Sequence, residues 1–143
     1  MEIKDFSNNH LDDIISIEKR SFKNPWTKEM FLSSANNKLV SFKIVFEDGV
    51  LAGYCLYWTV CGETEILSIA VDAVFRRRSL AKNMLAFMEE DSRRSGSEIV
   101  FLDVRESNIP AINLYLSFGF EKIGLRKKYY TDEDAIVLRK NIK

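Results

Sequence analysis

The sequence predicts an α/β chain built on one mixed sheet with helices on both faces. Three observations lead there. Two β-rich runs flank an Asp48-Gly49 step, a strong signal for a tight hairpin. Two amphipathic helical stretches each stop at a glycine, Gly96 and Gly119. Between those helices lies a short continuous apolar run, 99–104, as expected of a central strand. The predicted order is β-α-α-β-β-β-α-β-α-β-β, in one domain spanning 1–143.

Each element has a local cause. An alternating stretch at 2–6 reads as an edge strand. Asn8 or Asn9 then caps a helix whose apolar stripe is Leu11, Ile14, Ile15 and Phe22. Glu18 falls on the same stripe, where it is either a partly buried carboxylate or a residue at the wet margin; the margin is the expectation. Asn24-Pro25-Trp26-Thr27 breaks that helix. Thr27 caps a short second helix to about Asn36, with Met30 and Phe31 facing inward. The runs 39–46 and 50–60 form the hairpin, and Gly62 separates a third antiparallel strand, 65–71. A helix follows over 80–94, with Leu80, Met84, Phe87 and Met88 on one face and Glu89, Glu90, Arg93 and Arg94 largely on the other. The run 99–104 comes after a helix, so it pairs in parallel with 65–71. Asn108 caps the last helix, Pro110 sits in its first turn, and Ala111, Leu114, Tyr115 and Phe118 face inward. Strands at 120–125 and 135–139 complete the chain.

Composition narrows the function. Of 143 residues, 46% are hydrophobic and 29% charged, a water-soluble globule rather than a disordered segment. Lys plus Arg number 21 and Asp plus Glu number 21, which argues against a global electrostatic grip on nucleic acid. His10 is the only histidine, and Cys55 and Cys61 form no C-x-x-C pair, so no metal site is expected. No basic-then-apolar leader opens the chain and no run spans a membrane, which places the protein in the cytoplasm with two reduced, packed thiols. Oligomeric state has no signature here.

In an open sheet, ligands favour the carboxyl ends of strands where the topology changes. That point falls after Val71 and Val104, and three features converge on it. Phe75-Arg76-Arg77-Arg78-Ser79-Leu80-Ala81-Lys82 follows a strand and opens a helix. Four cationic side chains and the unpaired N–H groups of a helix start suit a pyrophosphate, although a solvated basic turn has the same spelling. Asp103 ends a buried run, where a carboxylate acts as a base or forms a salt bridge to Arg105 or Arg126. Tyr115 is either a proton donor or a core aromatic.

Together, Ile66-Leu67-Ser68-Ile69-Ala70-Val71-Asp72, Arg76-Arg77-Arg78-Ser79-Leu80-Ala81, and Asn108 through Tyr115 to Phe118-Gly119-Phe120 resemble the GNAT superfamily of N-acetyltransferases. Asn24-Pro25-Trp26-Thr27, Leu102-Asp103-Val104-Arg105-Glu106-Ser107-Asn108 and Tyr129-Tyr130 before Glu133-Asp134-Ala135 are similar to its RimI-type branch. Those enzymes acetylate the N-terminal alanine of a small-subunit ribosomal protein. The likeness runs over almost the whole chain.

The resemblance implies acetyl-coenzyme A as cosubstrate. Ile69, Ala70 and Val71 would hold its pantetheine arm like an added strand. Arg76, Arg77, Arg78, Ser79, Leu80, Ala81 and Lys82 would cradle the pyrophosphate, and Asn108 would contact the thiol end. Asp103 takes the place of the family's glutamate base, and Tyr115 that of its tyrosine acid. Trp26, Tyr129 and Tyr130 are candidates for contact with the acceptor, a protein or peptide N-terminus, since aromatics make rigid contact surfaces. Neither cysteine has a base partner nearby in sequence, so transfer is direct. Two positions depart from the family pattern. Ser79 replaces a glycine, and either caps the helix or donates to the phosphate. Asp103 is one methylene shorter than glutamate, which leaves room for a bridging water or for Glu18 or Glu65 as rival bases. The readings weighed against N-terminal acetylation are an acetyltransferase for lysine side chains or small amines, and a non-catalytic acetyl-coenzyme A sensor.

Overall fold

The elements come in the order that local chemistry predicts. They are β1 (Glu2–Asp5), α1 (Leu11–Ser21), α2 (Lys28–Ala35), β2 (Val40–Glu47), β3 (Val50–Val60), β4 (Glu63–Val71), α3 (Leu80–Arg94), β5 (Ile99–Arg105), α4 (Ile109–Ser117), β6 (Glu121–Arg126) and β7 (Ala135–Asn141). This computed structural model describes residues 1–76 and 79–143; Arg77 and Arg78, both expected in the anion-binding turn, lie outside the described residues. The seven strands belong to one mixed sheet. By contact density the chain divides into two compact units, residues 1–58 with 67–88 and residues 59–66 with 89–143. No helix among the described residues is long and apolar enough to cross a membrane.

In the first unit the strand order is β1-β2-β3-β4. Pairing of β1 with β2 and of β2 with β3 is antiparallel. The hairpin turn is Asp48-Gly49, with φ of 53° and 78°, the left-handed pair that a tight two-residue connection needs. Leu11, Ile14 and Ile17 of α1 and Phe31 of α2 pack with Phe42, Ile44, Tyr54 and Leu56 of the sheet. Each such burial removes apolar surface worth about 1.5–3 kcal/mol. Residues of both parities are buried on β3, Tyr54 and Leu56 as well as Cys55 and Tyr57, as on a strand covered on both sides.

Three local expectations change here, and one holds. Met30 is exposed while Phe31 is fully buried, because neighbours on a helix point about 100° apart and only one can face the sheet. Thr27 does cap α2, its Oγ1 accepting from the Met30 N–H at 3.2 Å. Neither Asn8 nor Asn9 caps α1; a short 3-10 turn over Asn8–His10 leads into it, with Ser7 Oγ 3.1 Å from His10 Nδ1. Glu18 is buried rather than at the wet margin.

The second unit has the order β4-β5-β7-β6. The parallel ladder of β4 with β5 covers Glu63↔Ile99, Thr64↔Val100 and Glu65↔Phe101. β7 lies between β5 and β6 and pairs antiparallel with both. On β5, Val100, Leu102 and Val104 are buried and Ile99, Phe101, Asp103 and Arg105 half-buried, so the apolar run still alternates. Cys61 lies exposed in the turn before β4, a correction to two packed thiols.

Candidate active site

The side chains singled out from sequence fall in both units, and each group is described within its own. In the first unit, β4 carries Ile69 and Val71 half-buried and Ala70 buried. Gly53 of β3 shapes the back of this segment. A Cβ there would stand 2.4 Å from the Ala70 carbonyl oxygen, so only glycine lets β3 and β4 approach as they do. After β4 the chain is fastened twice. The Asp72 N–H donates to the Ala52 carbonyl at 2.8 Å, and the Asp72 carboxylate takes two bonds from Arg20, at 3.3 and 2.8 Å.

The turn into α3 is only partly what its spelling suggests. The Arg76 guanidinium folds back, Nε donating to the Val71 carbonyl at 3.1 Å. Leu80 is buried with Ala52 and Phe75, so its contribution to an anion site is limited to its main chain. Lys82 is exposed. The Ser79 carbonyl accepts from the Asn83 N–H at 3.0 Å and opens the helix. Ser79 has φ of 62°, the left-handed conformation that glycine favours. Side-chain capping uses an extended residue, so that alternative for Ser79 falls away. The donor set here, helix N–H groups and a free-standing lysine, fits an anionic phosphate.

Glu18 is the most deeply buried carboxylate named from sequence, 2% exposed. One oxygen accepts the Tyr54 hydroxyl and the other the Trp26 main-chain N–H at 2.9 Å. Burial, and then the adjacent Glu18 charge, push the Tyr54 phenol far above its usual range; a hydrogen bond from Ser68 acts the other way. Both Glu18 oxygens are therefore engaged within the core. Trp26 is half-buried, packs on the core and tilts against Phe31 at 5.2 Å. It is partly core and partly surface.

The second unit holds the other candidates. Asp103 and Arg105 alternate on β5, so their side chains share one side of the strand. Asp103 Oδ1 accepts from Arg126 Nε of β6 at 3.0 Å, one of the two salt bridges its position allows. Tyr115 of α4 is buried and meets Phe120 edge-on at 5.7 Å. Burial pushes its phenol well above the usual range, with Tyr130 adding to the effect. Tyr130 is itself pushed up to about 12, first by burial and then by Asp103. The phenols of Tyr115 and Tyr130 thus stay neutral across the physiological range. Asn108 caps α4, its Oδ1 accepting from the Ala111 N–H at 3.3 Å.

A network that the sequence does not show holds the β6–β7 loop. The Arg105 guanidinium binds Asp132 and Glu133, both at 2.9 Å, and lies 4.3 Å over the Tyr130 ring. Glu133 also accepts from the Ser107 N–H at 3.1 Å and hydroxyl at 2.9 Å. The Arg105 hydrogen bond, above all, holds the Glu133 carboxyl below its ordinary range. Tyr129 and Tyr130 meet edge-on at 5.0 Å. Tyr54 and Gly53 have no signal in sequence beyond ordinary aromatic and glycine usage, and the pairing of Arg105 with Glu133 has none, because the partners lie far apart along the chain.

Residues 11–120 match the model of the Acetyltransferase (GNAT) family. The chain belongs to that family. Over 131 residues it is 37% identical to a putative [ribosomal protein bS18]-alanine N-acetyltransferase of Bacillus subtilis, covering 90% of this chain and 87% of that one. The crystal structure of the ribosomal-protein-S18-alanine N-acetyltransferase from Escherichia coli superposes with a TM-score of 0.90 at 29% identity, over 99% of this chain and 94% of that one. A second structure, PaiA N-acetyltransferase from Thermoplasma acidophilum in complex with coenzyme A, shares the fold with a TM-score of 0.82 at 19% identity, over 98% of each chain. As a GNAT member, the protein is an acetyl-coenzyme A-dependent N-acetyltransferase.

Proposed function

We propose that this enzyme acetylates the N-terminal α-amine of a protein, and that its acceptor is the alanine terminus of a small-subunit ribosomal protein of the bS18 kind. The likeness to two bS18-alanine enzymes over nearly the whole chain carries this reading.

Acetyl-coenzyme A supplies an activated acyl thioester. The main chain of Ile69–Val71 holds its arm by strand-like hydrogen bonds, and a main-chain N–H near Val71 steadies the oxyanion. Leu80, Ala81 and Lys82 present N–H groups to the phosphates, aided by the Lys82 ammonium and, as the resemblance implies, by Arg77 and Arg78, while Arg76 is turned back onto Val71; Asn108 meets the thiol end. An α-amine has a reference pKa of about 7.7–8.0 and is mostly protonated near neutrality. Asp103 takes that proton, directly or through one water. Its pairing with Arg126 fixes the direction of the carboxylate.

The raised Tyr115 phenol refines its role. Such a phenol is a weaker acid than a thiol of pKa about 8.5, so complete transfer to the departing thiolate runs uphill. Tyr115 steadies the thiolate by donating a hydrogen bond, and solvent completes the protonation. On the acceptor side, Trp26, Tyr129 and Tyr130 offer rigid aromatic walls.

The test mixes the enzyme with acetyl-coenzyme A and three peptides: one with a free alanine terminus, one with that terminus blocked, and one blocked peptide with internal lysines. Thiol release with the free terminus alone is expected. Equal release with the blocked lysine peptide overturns the reading in favour of side-chain acetylation, and cofactor binding without any release points to a sensor.

A further inference from the structure

Val71 ends β4, and its carbonyl is one of the acceptors that a partner laid along Ile69–Val71 would use. That oxygen already has an occupant. Arg76 Nε donates to it at 3.1 Å. Arg76 is exposed, so the carbonyl it reaches opens toward solvent. Val71 also lies six residues past Glu65, the last β4 residue in the parallel ladder with β5.

The surroundings of this bond are fixed, while the arginine itself can leave. The Asp72 N–H is tied to the Ala52 carbonyl at 2.8 Å. Its carboxylate accepts from Arg20 through both oxygens and from the Ala73 N–H at 2.9 Å. Asp72 thus braces the end of β4, and its own pairings leave it no claim on Arg76. The Arg76 side chain needs only a change of rotamer to turn away from Val71. Its guanidinium is a planar fork, matched to a phosphate by two parallel bonds and to a neutral carbonyl by one weaker bond. The bond to Val71 is therefore one that an anionic partner displaces.

Two parts of a donor meet at this arginine. An amide arm along β4 claims the Val71 carbonyl, and phosphates beside the turn claim the guanidinium. A donor with both parts takes the carbonyl and gives Arg76 a new partner. A donor with the arm alone takes the carbonyl and leaves Arg76 to water.

We propose that Arg76 is a specificity-determining residue for the acyl donor: it guards the Val71 carbonyl and yields it to a donor that bears phosphates in preference to a bare acyl-pantetheine. The inference rests on the reading of Ile69–Val71 as the strand-like partner of acetyl-coenzyme A. The same side chain then opposes one part of the donor and favours another, so removing it moves the two affinities in opposite directions.

Isothermal titration calorimetry of the enzyme without acceptor compares acetyl-coenzyme A with S-acetylpantetheine, the same acyl arm without phosphates. Arg76→Met keeps an apolar stem and removes every donor. It should bind S-acetylpantetheine about threefold tighter than the wild type does, the size of one exposed hydrogen bond. It should bind acetyl-coenzyme A about fivefold more weakly, because a charge-assisted phosphate contact is lost. Arg76→Lys, which keeps the charge without the fork, should fall between the wild type and Arg76→Met for both ligands. Unchanged S-acetylpantetheine affinity in Arg76→Met, as when the two lone pairs of the carbonyl serve both partners, overturns the guard. Weaker binding of both ligands, the mark of a merely structural bond, overturns it too, as does tighter binding of acetyl-coenzyme A or no detectable S-acetylpantetheine binding by Arg76→Met. These results leave the donor reading intact as long as the wild type binds acetyl-coenzyme A. A wild-type enzyme that binds neither ligand overturns the strand-like donor reading and the guard together.

Discussion

The carboxylates of the two units are stabilised in opposite ways. In the first, Glu18 is almost fully buried and is satisfied by neutral donors, a phenol and a main-chain N–H. In the second, Asp103 and Glu133 lie at or near the surface and are satisfied by guanidinium groups. A buried carboxylate with neutral partners is an architectural tie, since removing it strands polar groups away from water. A carboxylate paired with arginine is held instead by charge-assisted hydrogen bonds. The comparison sets a buried architectural tie in the first unit against arginine ion pairs in the second, one of which holds the proposed base.

The sharpest way to break that contrast is Glu18→Ala. It orphans the Tyr54 hydroxyl and the Trp26 N–H, so a loss of about 3 kcal/mol is expected in urea unfolding. A loss below 1 kcal/mol would mean that water reaches both donors. Next is Tyr115→Phe, which keeps the packing against Phe120 and removes one hydroxyl. Turnover should fall on the order of 100-fold, about 2.7 kcal/mol of barrier, with the melting temperature nearly unchanged. Unchanged turnover would return Tyr115 to the core and remove it from the mechanism.

Gly53→Ala tests the first unit's architecture again. The added Cβ meets backbone rather than a flexible side chain, so about 2 kcal/mol of destabilisation is expected by thermal melting. Because Ala70 must shift, weaker acetyl-coenzyme A binding should accompany it.

Alkaline titration sharpens the comparison by a different measurement. The Tyr54 and Tyr115 phenols have raised pKa values in the folded state, whereas unfolded tyrosines ionise near 10. Their contribution is therefore intact below pH 10 and is lost as pH rises above it. Each should cost about 1.4 kcal/mol by pH 11. Denaturant midpoints between pH 8 and 11 check this, and Tyr115→Phe should flatten the fall.

The smallest effect expected is from Ser79→Gly. It relieves a left-handed serine but gives the unfolded chain more freedom, for a net gain of about 0.5 kcal/mol. Calorimetry of acetyl-coenzyme A binding should show equal or tighter affinity; a marked loss would mean that the Ser79 hydroxyl touches the phosphate.

Much of this was legible in the sequence, and the reasons differ by residue. Thr27 and Asn108 were readable as caps because a cap bonds only within its own first turn. The Asp48-Gly49 hairpin was readable because left-handed turns demand those residue types. Asp103 and Tyr115 were singled out as candidates by the family resemblance. Met30 was misplaced because a helix of 8 residues carries too weak a stripe to choose between neighbours. Glu18 was misplaced because its position on an apolar stripe cannot show that Tyr54, 36 residues later, supplies a donor. The pairing of Arg105 with Glu133 left no mark in the spelling at all.

The sequence by itself determined which segments become helices and strands, where they stop, and the family likeness. These follow from hydrogen bonds and steric limits reaching only a few residues along the chain. Tertiary structure alone decided that β7 lies between β5 and β6, that Gly53 admits the Ala70 carbonyl, and which donor each carboxylate meets. Such partnerships join residues far apart in sequence, and only the packing of side chains against one another selects among the many that local rules permit.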